Sequence, residues 1–303
     1  MTAHLEDKLN EKSPNAIHWN DPEDELQFWK DFLYHGNSKN LFQEINKRTT
    51  HIHHPHYLGH QVSPPAPITA LTGLLSSLLN NGTAVYEMGM SSNAIERIII
   101  EVICHKIGFN SIAGGLLTSG GTLANLTALL SARKAITKKD IWNDGNQNQL
   151  GIMVSEEAHY CVDRAARIMG LGDQGIIKVP VTKDFAIDTH VLEAKFKEAQ
   201  ERGIEVFAII GSAPSTATGI FDNLECISEF AQEHNIWFHV DGAHGGAGIF
   251  SKKYKHTLKG IAQADSVVID GHKMMMMPAL TTALLFKDEN NAKATFSQKA
   301  DYL

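Results

Sequence analysis

The apolar positions of this chain keep one rhythm near its start and another through its body. Over about the first fifty residues they are sparse and helically spaced among polar neighbours. "NDPEDELQFWKDFLYHG" carries its own punctuation, with Asp21 as N-cap, Pro22 at the first helical position and Gly36 beyond the end. A proline-rich stretch, "HPHYLGHQVSPPAP", interrupts any helix, and the apolar segment "ITALTGLLSSLLNNG" follows. "SSNAIERIIIEVICHKIG" then predicts a serine-capped helix with an apolar face of Ile95, Ile98, Ile99, Val102 and Ile103, stopped by Gly108. From Ala113 onward, short apolar runs alternate with helical stretches. "GIMVS", "GIIKV", "VFAII", "IWFHV" and "SVVID" lack the period-two alternation of a half-buried strand. Helical spacing covers 122–136, 157–169, 189–202 and 223–234 between them. Unalternated strands separated by helices predict an α/β domain whose largely parallel sheet is buried on both faces. "KKDIWNDGNQNQLG" is the expected exposed loop.

Composition narrows the classes. Hydrophobic content of 43% with 20% charged residues fits a globular enzyme. A net charge of −7 and the lack of a basic run argue against nucleic acid as partner. No apolar run is long enough to span a bilayer, and "MTAHLEDKLNEKSPN" has no secretory h-region. The three cysteines, Cys104, Cys161 and Cys226, are odd in number and far apart, which fits a reducing, cytoplasmic setting.

In a sheet of this kind chemistry gathers at the carboxyl ends of the strands. Those ends read "TSGGTLANL", "SEEAHYCVDRA", "GSAPSTATGIFD", "DGAHGGAG" and "GHK". The Gly-Gly turn opening a helix, with the Thr122 hydroxyl beside it, is a phosphate cradle or simply a tight turn. Asp241, directly after "IWFHV", suits a positive ring nitrogen or a cap. Lys273, in "VVIDGHKMMMMPALTTALLF", is a cation where the chain otherwise reads as a buried strand. Such an amine is paired, neutralised or used covalently, or it snorkels at the sheet rim. Each feature alone has a bland reading. Together they supply a phosphate cradle, a carboxylate for a ring nitrogen and an amine for an aldehyde, the handles of pyridoxal 5'-phosphate.

The ordered set "HPHYLGHQ", "YEMG", "TSGGTLANLTALL", "SEEAHYCVDRAARIMG", "GIFDNL", "HVDGAHGG" and "DGHK" resembles the pyridoxal-phosphate-dependent group II amino-acid decarboxylases, which act on glutamate, aromatic amino acids or diaminobutyrate. The resemblance runs from about residue 54 to 303. It implies a fold-type I large domain over 61–303, an N-terminal helical arm over 1–60 and a homodimer. The arm's Phe28, Trp29 and Phe32 are expected to be exposed for that contact, and "YEMG" resembles a segment at the family's dimer interface. By position, Lys273 resembles the Schiff-base lysine, Asp241 the partner of the ring nitrogen, and His159 and Ala243 the residues on the two faces of the ring. Thr216 falls near the ring substituents; Gly121, Thr122 and His272 fall where the phosphate is held. His60 and Gln61 resemble residues at the substrate mouth. Tyr302 falls near the loop tyrosine that protonates Cα after carbon dioxide leaves.

Family members continue into a further C-terminal domain, so the resemblance implies that the chain stops inside a catalytic loop and that activity from it alone would be poor. "HIHHPHYLGH" holds five histidines, but Pro55 breaks helical spacing and no cysteine or glutamate framework accompanies them, so a pocket-edge loop is expected rather than a metal site. Met274 to Met277 are expected to pack adaptably beside the cofactor. Asp270 stands where the family more often has asparagine; a carboxylate would repel phosphate unless turned away, which leaves it outside the expected site. The alternatives are an aminotransferase or sulfur lyase of the same fold, or an inactive remnant that binds a partner.

Overall fold

Seven strands form one sheet because nearly all of their residues are apolar or small enough to be covered on both faces. The computed structural model describes Glu6 and residues 15–297. The chain divides into two units, Met1–Pro64 and Pro65–Leu303.

In the first unit, α1 (Pro22–His35) starts where Asp21 caps it, its side chain accepting from the Glu23 N–H. Pro22 takes the first turn, where a missing N–H costs nothing. α2 (Leu41–Arg48) follows. Phe28, Trp29 and Phe32 are half-buried rather than exposed. They pack on one another at centroid distances of 5.3–5.9 Å, the two phenyl rings stacked and the indole edge-on to both, and the Arg48 guanidinium lies 3.3 Å over the Phe28 ring. The arm therefore has a small aromatic cluster of its own, and its exposed apolar residues include Trp19, Leu33, Tyr34, Phe42 and Leu58.

The second unit opens with α3 (Ile68–Leu79) and α4 (Ser91–Ile107). The sheet strands are β1 (Gly114–Thr118), β2 (Leu150–Ser155), β3 (Ile176–Val179), β4 (Glu205–Ser212), β5 (Trp237–Asp241), β6 (Ser266–Asp270) and β7 (Thr282–Phe286). Their order is β1-β7-β6-β5-β4-β2-β3. β2 to β6 pair in parallel, while β7 runs against both of its neighbours. The helices between them are α5 (Gly121–Ile136), α6 (Tyr160–Ile168), α7 (Leu192–Glu201) and α8 (Leu224–Glu233), with α9 (Glu289–Phe296) after β7.

Alternate residues of single strands enter two separate cores. Val267, Ile269 and Leu285 join α4, α7 and α8 on one face. Val268, Leu284 and Phe286 join α5 and α6 on the other. Ala124, Ala128 and Ala132 recur every turn along α5 and are fully buried, so this helix lies close on the sheet and its first turn comes down beside the strand ends.

α4 turns all of the expected face but Ile103 outward. Ile95, Ile98, Ile99 and Val102 are exposed, and Ile100, Ile103, Cys104 and Ile107 are the buried set. The helix is apolar on both sides, so its spacing could not say which side meets the sheet. It begins at Met90 (φ 37°) without a side-chain cap, rather than at a serine, and ends at Gly108 (φ 103°), a left-handed position suited to glycine.

Candidate active site

The carboxyl ends of β1, β4, β5 and β6, with the turns after them, close around a cavity of about 350 Å³ in the second unit. Ser119, Gly120, Gly121 and Thr122 line it from the turn between β1 and α5; Gly120 has φ 129°, open to glycine but strained for other residues. The 16-residue α5 receives no side-chain cap, so its first-turn N–H groups are presented toward the cavity without an intramolecular carboxylate or hydroxyl to take them.

Asp241 ends β5 and is buried. Its Oδ1 accepts from the Ala243 N–H at 3.2 Å and its Oδ2 from the Asn125 amide at 3.2 Å. Burial pushes its carboxyl above the usual range, while the Lys273 ammonium works the other way. A buried carboxylate of this kind is stabilised by a positive donor brought into the cavity.

Lys273 sits on the single helical turn Gly271–Met274 after β6. Its Nζ is 3.1 Å from Asp270 Oδ2. Asp270, left out of the sequence-based site, lines the cavity: its Oδ1 accepts from the Thr282 hydroxyl at 2.6 Å, and its Oδ2 is 3.6 Å from His272 Nε2. β7 supplies Thr282 because it inserts antiparallel beside β6, where Asp270 and Thr282 are register partners. Three neighbours hold the carboxylate, but it is not turned away from the expected phosphate cradle: its oxygens lie 3.2 and 3.3 Å from where a Cβ on Gly121 would stand. His272 is buried, with Nδ1 2.9 Å from the Thr281 carbonyl oxygen.

His159 caps α6, its Nδ1 accepting from the Cys161 N–H at 3.3 Å, and lines the same cavity. Burial holds its imidazole below the ordinary value, against the opposing pull of Asp241. Ala243 and Thr216 line the cavity as well. Thus Gly121, Thr122, His159, Thr216, Asp241, Ala243, His272 and Lys273 come together. His60 and Gln61 belong to the first unit, where both are exposed with φ 53°. Tyr302 lies outside the described residues. Met274, Met276 and Met277 are exposed instead of packed, and only Met275 lies against the core. Among the described residues no helix is long and apolar enough to cross a membrane.

The sequence model of the pyridoxal-dependent decarboxylase conserved domain matches residues 35–303. The chain belongs to the pyridoxal-dependent decarboxylase family. It is 29% identical over 299 residues to an aromatic-L-amino-acid decarboxylase of Bacillus atrophaeus, covering 99% of this chain and 58% of that protein. It is 30% identical over 267 residues to an L-2,4-diaminobutyrate decarboxylase of Acinetobacter baumannii, covering 83% and 52%. Among solved structures it resembles the glutamate decarboxylase domain of a diaminobutyrate-pyruvate transaminase and L-2,4-diaminobutyrate decarboxylase from Vibrio parahaemolyticus. There the TM-score is 0.87 at 26% identity, over 98% of this chain and 68% of that one. The chain spans about half the length of the curated relatives it matches.

Within this family domain, sequence reasoning overlooked Ser119, Asn125, Cys161 and His244 and set Asp270 aside, and all five line the cavity. The "TSGGTLAN" motif did contain Asn125, one helical turn after Gly121, and that spacing was the signal. The Cys161 thiol is pushed up to about 12, chiefly by burial, so it stays protonated and unreactive.

Behind Asp241 lies His239, fully buried on β5 and pushed down to about 3 by loss of solvent. Between pH 6.5 and that value the unfolded chain binds a proton there and the folded chain does not. Stability is therefore lost as pH falls through this window, by up to about 1.4 kcal/mol per pH unit. In denaturant titrations at pH 6.5 and 5.0, the parent protein is expected to lose about 1.6 kcal/mol more than His239→Gln. Equal losses would show that His239 is not held neutral.

Proposed function

We propose that the protein holds pyridoxal 5'-phosphate in this cavity and decarboxylates an L-amino acid to the amine and carbon dioxide. The observation that carries the reading is the convergence of three unlike groups on one cavity of a family member: an uncapped helix start, a buried carboxylate and a lysine amine. Bound there, the cofactor supplies an electron-poor ring that takes up the electron pair left at the substrate's α-carbon when the carboxylate departs.

The protein's part is to hold and to aim. Gly121, Thr122 and His272 hold the phosphate, with the α5 N–H groups as donors. Lys273 supplies the amine that holds the cofactor's aldehyde; Asp270 keeps that amine at the cavity edge until it is used. Asp241 accepts from the protonated ring nitrogen and keeps the proton there by opposite charge. His159 and Ala243 take the two ring faces, Thr216 the ring substituents, and His60 and Gln61 the substrate mouth. Tyr302 delivers the proton to the α-carbon. An arm over 1–60 and a cofactor-binding domain over 61–303 complete the assignment.

An amino-acid panel incubated with the cofactor-loaded protein separates the possibilities. Amine and carbon dioxide are expected in equal amounts. Accumulation of keto acid would instead indicate an aminotransferase, and its appearance with released sulfide a sulfur lyase.

The same reading makes the protein a homodimer. α3 buries none of its residues, leaving Leu71, Leu74, Leu75, Leu78 and Leu79 exposed, and α4 adds Ile95, Ile98, Ile99 and Val102. Apolar surface this continuous in sequence suits a second copy. Sedimentation at micromolar concentration is expected to give a dimer, and a single monomer boundary would remove the assignment. Three unpaired thiols agree with a cytoplasmic setting, which cell fractionation checks.

A further inference from the structure

Asn125 is an amide whose two ends cannot be exchanged. Its Nδ2 is 2.9 Å from the Gly121 carbonyl oxygen and 3.2 Å from Asp241 Oδ2, with the Cys161 sulfur at 3.5 Å. A backbone carbonyl only accepts, so the NH₂ must face Gly121 and, beside it, the carboxylate oxygen; the reversed amide would set oxygen against oxygen. Oδ1 then faces His239 Nε2 at 2.7 Å, and that nitrogen must carry a hydrogen. A neutral imidazole with Nε2–H has a bare Nδ1, which lies 2.8 Å from Ser266 Oγ and must accept from it. With its hydrogen spent, the Ser266 oxygen accepts from the Trp237 indole N–H at 2.8 Å. Every donor in the series thus points one way, from Trp237 through Ser266, His239 and Asn125 to Asp241.

The geometry points to His239 as a positioning residue: through Asn125 it fixes Asp241 as an oriented acceptor for the cofactor's ring nitrogen. Trp237, Ser266, His239 and Asn125 are at most 2% exposed, so water does not compete for these bonds. Successive bonds in such a dry chain polarise one another toward its acceptor end. Asn125 also ties the carboxylate to the Gly121 carbonyl, so the ring-nitrogen end and the helix-start end of the cavity are held by one side chain. The aspartate cannot rotate away when the cavity fills, and the ring nitrogen meets a carboxylate already aligned. This rests on the cofactor reading above; the hydrogen-bond direction does not.

The test has one arm for each. Nitrogen NMR of the ¹⁵N-histidine-labelled chain without cofactor should show His239, assigned by its loss in His239→Gln, with a protonated Nε2 and a bare Nδ1. A doubly protonated ring or the Nδ1–H form would overturn the relay. The second arm compares binding to the cofactor-free protein of pyridoxal phosphate and of its analogue with carbon in place of the ring nitrogen. The parent should favour the nitrogen compound, and His239→Leu should lower that preference about tenfold. His239→Gln, whose amide can still donate to Asn125, should restore it. A structural role alone would weaken both ligands in step and leave the ratio unchanged, which would overturn the proposal. Ser266→Ala serves as a milder break if His239→Leu does not fold. If neither compound binds the parent, it is the cofactor reading that fails, and the NMR arm still decides the relay.

Discussion

Lys273→Ala is expected to remove decarboxylase activity, by on the order of 10⁴-fold or more, because the group lost is the proposed covalent holder of the cofactor and nothing nearby replaces it. The neighbouring nitrogen groups in the second unit are poorly placed: His272 Nδ1 faces the Thr281 backbone, and Lys287 reaches the Gln263 carbonyl oxygen at 3.4 Å. The substitution also strands Asp270, whose Oδ2 loses its 3.1 Å partner. The Thr282 hydroxyl and His272 remain beside it, so the fold should survive and cofactor should still be retained weakly through its phosphate. The check is borohydride treatment of the loaded protein, followed by peptide mapping. The parent should carry the cofactor on the peptide containing Lys273, and the variant on none. A labelled peptide from another lysine in the variant would show that the covalent holder was misassigned.

Asp241→Asn is expected to lower turnover by on the order of 10³-fold, with cofactor still bound. The carboxylate favours a protonated ring nitrogen through opposite charge at short range, in a place where burial has removed the screening water. An amide has nearly the same shape and no charge, so the ring would lose its hold on the proton and with it the capacity to take up the α-carbon's electron pair. A smaller cost falls on stability. Both oxygens of Asp241 now accept, one from Ala243 and one from Asn125. In the asparagine variant an NH₂ must face one of these donors, which should cost about 1–3 kcal/mol. Turnover measured at saturating cofactor, alongside the thermal midpoint, separates the two effects. An asparagine variant with near-parent turnover would remove Asp241 from the ring-nitrogen role.

Both predictions concern residues that are legible in the sequence itself. Asp241 directly follows an unalternated apolar run and Lys273 stands three residues beyond one, and though each charge alone has a bland reading, the two together with the Gly-Gly turn have few. The strands themselves are legible for the same reason: "SVVID" forms β6 residue for residue, and "IWFHV" is shifted by one from β5. Capping chemistry fixes α1 from Asp21, Pro22 and Gly36, all within a few residues of the elements they bound. Local signals are enough wherever the cause of a structure is local.

The sequence by itself determined the α/β alternation, the doubly covered sheet and the cluster of Gly121, Thr122, His159, Thr216, Asp241, Ala243, His272 and Lys273 at strand ends. Tertiary structure decided which side of α4 is buried, because both of its faces are apolar and only the sheet distinguishes them. It decided that β7 runs antiparallel, which brings Thr282 against Asp270 and turns that carboxylate toward Lys273. It also placed Asn125 between Asp241 and His239, contacts that join residues 116 and 114 positions apart. No periodicity or motif spacing encodes a hydrogen bond of that span; its direction follows only once donors and acceptors stand within about 3 Å of one another with water excluded.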